Sequence, residues 1–339
     1  MENGRRPLLS VQNLKTYFYT DEGVVRAVDG ASFDLSRGQT LGIVGESGCG
    51  KSVTARSILR IVERPGRIIE GQVVLHRNEH DGQDQGTDLV QLNPNSEEMR
   101  SIRGGEIGLV FQEPMTSFSP VHTVGSQIIE TIRLHQDISA QEAKDQAIER
   151  LRMVGIPRAE SRIDQYAFEM SGGLRQRAMI AMALSCNPTL LIADEPTTAL
   201  DVTTQAQILD LLRGLQEQRN LSIILITHNM GVIAEMADDV AVMYLGRVVE
   251  KGPVDDIFHA PKHPYTKALL ESIPSIHSPP RIKLPSISGT VPHPYNRPMG
   301  CPFHPRCPSY IENVCETREP NSVQLGAGQE AACFLYEGA

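Results

Sequence analysis

A glycine-rich segment with one lysine carries the first recognisable chemistry of this chain. Residues Gly45 to Ser52 read GESGCGKS and match the pattern G-x-x-x-x-G-K-S. Glycines let backbone N–H groups turn toward a phosphate, and a helix that begins after the loop adds its positive end. Lys51 would neutralise the outer phosphates of a nucleotide, and the Ser52 hydroxyl would ligate Mg²⁺. The predicted contact residues are Gly45, Ser47, Gly48, Cys49, Gly50, Lys51, Ser52 and Val53.

Two adjacent carboxylates follow an apolar segment. Residues 190–193 read LLIA, and Asp194 and Glu195 come directly after them. Next to a phosphate-binding loop, an acid at a strand end delivers its carboxylate to Mg²⁺, which makes Asp194 a candidate metal ligand. Glu195 would face the terminal phosphate and polarise a water molecule. Taken alone, the pair is equally typical of solvated carboxylates at the end of a strand.

Small residues occur a second time before a helical pattern. Ser171, Gly172 and Gly173 follow a polar run and precede the predicted helix 174–184. Small residues at a helix N-terminus can form an anion site. One glycine loop binds only one triphosphate, so a second such site needs an explanation. The alternative is a simple serine N-cap with a glycine turn.

Four cysteines near the C-terminus form a third candidate site. Their spacing is Cys301-x5-Cys307-x7-Cys315-x17-Cys333, which lacks the close cysteine pair of a zinc ribbon. Four thiolates suit either Zn²⁺ or a 4Fe–4S cluster. Free buried thiols are the alternative. Three histidines could also ligate a metal, but we interpret each of them as a surface or loop residue: His263, His293 and His304.

The hydrophobic pattern predicts the elements that must position these groups. The predicted strands are residues 40–44, 189–194 and 221–227, and the predicted helices are residues 51–62 and 202–218. The glycine loop therefore joins a strand to a helix, and this context argues against an incidental glycine turn. Asp201 is the predicted N-cap of the second helix. Strands that alternate with helices predict a mostly parallel α/β sheet.

Length and composition restrict the class of protein. The 339 residues are enough for about two domains. The net charge of −9 argues against a nucleic-acid-coating surface, which needs a basic footprint. Residues 77–100 are polar and predict a surface insertion, and residues 261–320 are rich in proline. Neither a secretory signal nor an apolar run of membrane-spanning length is apparent, so we expect a cytoplasmic protein that reaches membranes through partners.

In their order along the chain, these motifs resemble those of the ATPase subunits of ABC transporters. Residues 45–52 resemble Walker A, residues 190–195 resemble Walker B, and residues 170–174 resemble the signature motif, usually LSGGQ. Four single residues fit further motifs: Phe18 the adenine-stacking aromatic, Gln112 the Q-loop, Asp201 the D-loop and His228 the switch histidine. Leu174 departs from the usual glutamine, while Ser171 and the glycines are retained.

The resemblance implies a fold, two small-molecule ligands and a mechanism. The implied fold over residues 1–255 is a P-loop ABC cassette. It has a RecA-like core, an antiparallel β subdomain and a helical subdomain at about 113–186. A Pro/Cys-rich extension covers residues 256–339. Implied roles are catalysis by Glu195 and His228, Mg²⁺ binding by Ser52, Gln112 and Asp194, and ATP contacts by Phe18, Gln112, Asp201 and residues 171–173. Two cassettes face head to tail, so the signature segment of one caps the ATP of the other, which explains the second anion site.

Longer segments narrow the resemblance to importers of oligopeptides, dipeptides or nickel. They are FQEPMTSFSP at residues 111–120, SGGLRQRAMI at residues 171–180, HPYTKALLESIP at residues 263–274 and GCPFHPRC at residues 300–307. The implied function is to power peptide import from the cytoplasmic face of the inner membrane. Implied partners are a second, related ATPase, two permeases and an extracytoplasmic binding protein, with no nucleic acid. Importers of nickel, glutathione or oligosaccharides are the alternative, followed by soluble cassette ATPases of DNA repair or translation and an unrelated P-loop kinase.

The extension at residues 256–339 is called the tail below. The same resemblance associates its four cysteines with a 4Fe–4S cluster, and Zn²⁺ is the alternative. A metal centre would stabilise a proline-rich segment that has little core of its own. Because residues 40–52 lie outside this segment, we expect ATP binding by the glycine loop to be independent of the tail.

Overall fold

The structure, a computed structural model, describes residues 7–77, 86–113, 117–273, 287–326 and 328–337. Parts of the predicted polar insertion, helical subdomain and proline-rich segment lie outside the described residues. The chain divides into two compact units. The first unit contains residues 1–35, 40–90 and 227–339, and the second contains residues 36–39 and 91–226.

An antiparallel sheet forms one layer of the first unit. Its strands are β1 (Pro7–Thr20), β2 (Gly23–Ser36), β4 (Gly66–His76) and β5 (Gly86–Asp88), in the order β2-β1-β4-β5. In β2 the side chains of Ala31, Phe33 and Leu35 are buried while the residues between them are exposed. This alternation places the apolar face of the strand in the core of the unit.

The remaining strands of the first unit lie in order from the buried strand β3 (Thr40–Val44) outward. Strand β3 pairs in parallel with β9 (Asp239–Tyr244), and β9 pairs antiparallel with β10 (Arg247–Pro253). The short strands β11 (Ser322–Gln324) and β12 (Glu330–Ala332) extend this sheet from β10. The helices of the unit are α1 (Lys51–Ile58), α8 (Met230–Met236), α9 (Val254–His259) and α10 (Pro264–Glu271). The predicted boundary at residue 255 falls within α9 and stays a prediction.

The second unit contains a parallel sheet and most of the helices. Its strands β6 (Ile107–Val110), β7 (Leu190–Asp194) and β8 (Ser222–Thr227) pair in parallel in the order β8-β7-β6. Its helices are α2 (Glu97–Gly105), α3 (Val124–His135), α4 (Ala140–Met153), α5 (Ala159–Arg162), α6 (Gly172–Ala183) and α7 (Val202–Arg219). Helices α3, α4 and α6 pack against one another. The mixed α/β fold and the predicted strands 40–44, 189–194 and 221–227 are confirmed.

Local capping confirms the predicted start of α7. The Asp201 carboxylate accepts a hydrogen bond from the Thr204 backbone N–H at 2.9 Å. The apolar face of α7 buries Ile208, Leu212 and Leu215. The first predicted helix is shorter than expected, since α1 ends at Ile58 rather than near residue 62. None of the helices in the described ranges is long and apolar enough to cross a membrane.

Candidate nucleotide-binding site

The glycine loop leads from β3 into α1, and its lysine lies against the loop. Lys51 is buried, and its Nζ donates to the carbonyl oxygens of Gly45 at 2.8 Å and of Glu46 at 3.2 Å. Because α1 begins at Lys51, the ammonium and the positive end of the helix dipole lie together. A cation beside unsatisfied helix N–H groups is the combination that binds phosphate.

Two glycines of this loop have no room for a side chain. A Cβ atom at Gly45 would lie 2.2 Å from the Met243 carbonyl oxygen, and one at Gly50 would lie 2.2 Å from that of Ala27. Both residues also have positive φ angles, 154° and 103°, which disfavour other residues. At Gly48 a Cβ atom would meet nothing within 4 Å. Backbone packing thus fixes both ends of the loop, while its middle is open.

Phe18, the predicted adenine-stacking residue, lies near the end of β1. It pairs with Gly66 in β4, where a Cβ atom would lie 2.7 Å from the Phe18 ring. The neighbouring Tyr17 donates its hydroxyl to Asp29 at 2.5 Å. Burial and this hydrogen bond raise the pKa of Tyr17 to about 12. The aromatic residue is therefore held on a well-fixed strand, and its role with adenine stays a prediction.

The two predicted acids lie at the end of β7 in the second unit. Asp194 is buried and pairs with Ile226 in β8. Glu195 is also buried, adopts a left-handed φ of 49° and donates its backbone N–H to the Ile226 carbonyl at 2.8 Å. The Thr198 hydroxyl donates to Glu195 Oε2 at 2.6 Å. This contact fixes one carboxylate oxygen, and sequence reasoning did not find Thr198.

The signature segment forms the N-terminus of α6 and lies beside the Asp201 segment. Ser171 is the N-cap, and its hydroxyl accepts from the Leu174 N–H at 3.4 Å. A Cβ atom at Gly173 would lie 2.7 Å from Thr204, the residue that bonds Asp201. Ser171 and Gly172 are exposed. An exposed helix start with a hydroxyl fits both readings of the segment, an anion site or a cap.

Gln112 and His228 both follow parallel strands. Gln112 comes two residues after β6 and is exposed. Because β6 and β7 pair in register, Gln112 and Glu195 leave the same edge of the sheet. His228 belongs to the first unit, comes directly after β8 and is exposed. The next residue, Asn229, caps α8 by accepting from the N–H groups of Gly231 and Val232. The catalytic and binding assignments of all these residues stay predictions.

The four tail cysteines line one cavity. The other residues of its wall are His263, Pro264, Phe303, His304, Ser309, Ile311, Phe334 and Leu335. The Cys301 N–H donates to the Cys315 carbonyl at 2.8 Å. This approach needs Gly300, whose φ is 70° and where a Cβ atom would lie 2.3 Å from the same carbonyl.

The wall of this cavity supplies four sulfur donors, the ligand type of a four-thiolate centre. Burial raises the pKa of Cys301 to about 11 and raises those of Cys307 and Cys333. Bound metal would be needed to hold them as thiolates at neutral pH. Within the described part of the chain, no three His, Cys, Asp or Glu side chains are arranged to hold a metal ion. The four-thiolate centre therefore stays a prediction.

His263 lies in the bend before α10, as the loop interpretation has it, but it is not at the surface. It is buried and caps α10, its Nδ1 accepting from the Tyr265 N–H at 3.0 Å. Burial lowers its pKa to about 3, so the ring is neutral. His304 also lines the cysteine cavity, and His293 stacks on Tyr295 with ring centres 5.2 Å apart.

The tail is in direct contact with the glycine loop, and the expected independence of ATP binding from the tail stays a prediction. Arg306, between Cys301 and Cys307, pairs with Glu46 of the loop, and the Tyr265 hydroxyl accepts from the Glu46 N–H at 2.9 Å. Sequence reasoning missed both contacts. The residues of the ion pair are 260 positions apart, and no local pattern connects such positions.

Comparison with known families gives two matches along the chain. The family described as ABC transporter matches residues 28–198. The family described as oligopeptide/dipeptide transporter, C-terminal region, matches residues 249–315, which include three of the four tail cysteines.

Individual relatives match over nearly the full length. The oligopeptide transport ATP-binding protein AppD of Bacillus subtilis is 49% identical, with 97% of each chain covered. The dipeptide transport ATP-binding protein DppD of Escherichia coli is 45% identical, with 96% of each chain covered. Among solved structures, the dimeric post-hydrolysis ATP-binding cassette MJ0796, bound to ADP and phosphate, is similar with a TM-score of 0.62 at 25% identity. That match covers 73% of this chain and 98% of the cassette.

Proposed function

Because the chain belongs to the ABC transporter family, we propose that it is the ATP-binding and hydrolysing subunit that powers peptide import across the cytoplasmic membrane. The observation that carries the proposal is the position of Lys51, whose ammonium contacts the glycine-loop carbonyls at the start of α1. The peptide class is supported by the C-terminal family match and by relatives named as oligopeptide and dipeptide transport proteins.

In this proposal the P-loop, residues 45–52 of the first unit, binds the phosphates of the nucleotide. Phe18 stacks on the adenine, and Lys51 with the N-terminus of α1 neutralises the phosphates. Ser52, Gln112 and Asp194 would hold Mg²⁺, which prefers such oxygen donors and supplies charge to the phosphate oxygens. Glu195 polarises the attacking water, and His228 contacts the terminal phosphate. The short contact from Thr198 supports the role of Glu195, since it orients the carboxylate.

The exposed signature segment supports a second cassette as a partner. Ser171 and Gly172 lie at the start of α6, where helix N–H groups favour an anion. The P-loop of this chain already provides one phosphate site, so we assign the signature segment to the nucleotide of a facing ATPase. A related but different ATPase subunit is the proposed partner, on the cytoplasmic face of the membrane with two permeases and a binding protein.

For the tail we propose that Cys301, Cys307, Cys315 and Cys333 hold a 4Fe–4S cluster, with Zn²⁺ as the alternative. All four thiols line one cavity, which supports the proposal. The centre would tie together chain segments that otherwise meet through short turns and the small strands β11 and β12.

Purification of the tagged chain from the membranes of its host tests the function. We expect two permeases, a second cassette and ATPase activity that rises when a peptide-loaded binding protein is added. Stimulation by nickel, glutathione or an oligosaccharide instead would replace peptides as the proposed substrate. Recovery of the chain with nucleic acid and without a permease would overturn the transporter proposal.

A further inference from the structure

Arg306 lies in the C-terminal tail and holds the side chain of Glu46, a residue of the glycine loop, which is the P-loop at residues 45–52. Its guanidinium donates to both oxygens of the Glu46 carboxylate, with Nη1 to Oε2 at 2.7 Å and Nη2 to Oε1 at 3.0 Å. The Arg306 side chain is only 4% exposed, and that of Glu46 is 24% exposed. A bidentate pair of this kind fixes geometry as well as charge.

The arginine is itself fixed by neighbouring groups. Its Nε donates to the Ser288 carbonyl at 3.0 Å, and Nη1 also lies 3.3 Å from the Tyr244 hydroxyl. The guanidinium carbon lies 5.8 Å from the centre of the Tyr244 ring. These contacts hold the guanidinium in an orientation in which it faces the Glu46 carboxylate.

A second contact fixes the backbone of the same residue. The Glu46 N–H donates to the Tyr265 hydroxyl at 2.9 Å, and the Tyr265 side chain is fully buried. Tyr265 packs against Tyr244 and Phe303 with ring centres 4.7 and 5.3 Å away. Phe303 also lines the cysteine cavity, so one aromatic cluster separates that cavity from the P-loop.

Glu46 in turn contacts the phosphate-binding lysine. Its carbonyl oxygen accepts from Lys51 Nζ at 3.2 Å. Gly48, in the middle of the loop, has open space around it and restrains its own backbone weakly. External contacts to Glu46 therefore add to the order of the loop before nucleotide arrives, and prior order favours tight binding.

We propose that Arg306 and Tyr265 are positioning residues for the nucleotide site, and that the C-terminal tail sets the ATP affinity of the P-loop through Glu46. The inference rests on the proposed function of the P-loop as the ATP site. It gives the tail a role in nucleotide binding, in addition to any role in holding a metal centre.

The test measures ATP affinity of the purified full chain with a fluorescent ATP analogue. Arg306→Gln, Arg306→Lys, Glu46→Gln and Tyr265→Phe should each weaken binding, the charge-removing changes by about tenfold, a common size for coupling between sites. The double variant Arg306→Gln with Glu46→Gln should bind ATP no more weakly than the single variant that has the lower ATP affinity. In the assembled transporter these changes should raise KM for ATP while kcat at saturating ATP is retained, because Arg306 and Tyr265 touch no reacting atom.

Arg318→Gln is the matched control. Arg318 lies in the same tail and pairs with Glu337, but its side chain is 56% exposed and its recorded contacts are with other tail residues. Its ATP affinity should equal that of the unchanged protein. An equal loss in Arg318→Gln and Arg306→Gln, or unchanged affinity in folded Arg306→Lys and Tyr265→Phe, would overturn the inference. If the unchanged protein itself bound no ATP, the proposed function would fail instead.

Discussion

At the scale of single residues, the position of Lys51 leads to the first prediction. Lys51→Ala should weaken ATP binding by about 10- to 100-fold, because a charged hydrogen-bond donor to phosphate is lost. Nucleotide titration of the purified chain measures this loss. Arg56→Ala is the control, since Arg56 is an exposed cation of the same helix α1. Equal effects of the two changes would contradict the role of Lys51.

The geometry of Glu195 leads to the second prediction. Glu195→Gln should retain ATP binding but lower hydrolysis by about 10²- to 10⁴-fold, the usual contribution of a general base. An amide keeps the size of the side chain but cannot take a proton from water. Single-turnover hydrolysis in the assembled complex separates the two effects, and Asp210→Asn on the exposed side of α7 is the control. Loss of ATP binding in Glu195→Gln would contradict the assignment.

Residues that form a contiguous motif were predictable, and residues paired across the chain were not. The P-loop, Asp194 and Glu195 each stand next to a strand whose apolar pattern is local, so sequence sufficed to name them. The Arg306–Glu46 pair forms only because β9, α10 and the tail bring distant segments together. Phe303 and Arg306 were visible in sequence merely as part of a motif between two cysteines.

At the scale of elements, the N-terminus of α6 leads to the third prediction. Ser171→Arg should leave ATP binding by this chain intact and should lower hydrolysis at the P-loop of the facing cassette, because a bulky cation would occupy the exposed cap position. Trapped nucleotide, assigned to each subunit by photolabelling, measures the two sites separately. Ser161→Arg on the exposed helix α5 is the control. Selective damage to the P-loop of this chain would contradict a shared site.

The tail as an element leads to the fourth prediction. Protein purified without oxygen should be brown, with absorption near about 400 nm and about four irons per chain. Cys301→Ser should remove the colour and make the tail protease-sensitive, whereas Cys186→Ser, a change outside the tail, should do neither. Stoichiometric zinc in a colourless protein would replace the cluster with the alternative, and four alkylatable thiols in the folded protein without metal would reject the site.

Element type was more predictable than element extent. The strands at 40–44, 190–194 and 222–227 were predicted within one residue because each is a short apolar run bounded by polar residues. Helix α1 ends four residues earlier than predicted, since the apolar residues after Ile58 continue the helical spacing in sequence only. The small strands β11 and β12 have no alternating pattern, and they form because β10 offers an edge for pairing.

At the scale of the whole molecule, the chain combines a nucleotide-binding cassette with a tail that contacts it. The contact residues Glu46 and Arg306 belong to different family matches, one to the ABC transporter match and the other to the C-terminal match. The tail therefore contacts the P-loop within the first unit, and its family match supports peptides as the substrate.

Peptide uptake into proteoliposomes is the most direct test of the central claim. The vesicles would contain the complex purified with this chain. In vesicles whose outer surface is the external face of the transporter, the binding protein is added outside and ATP is enclosed. We predict uptake of a labelled di- or oligopeptide that requires ATP and stops when this chain carries Glu195→Gln. Peptide uptake that continues unchanged with Glu195→Gln, or ATP hydrolysis that no peptide stimulates, would contradict the account.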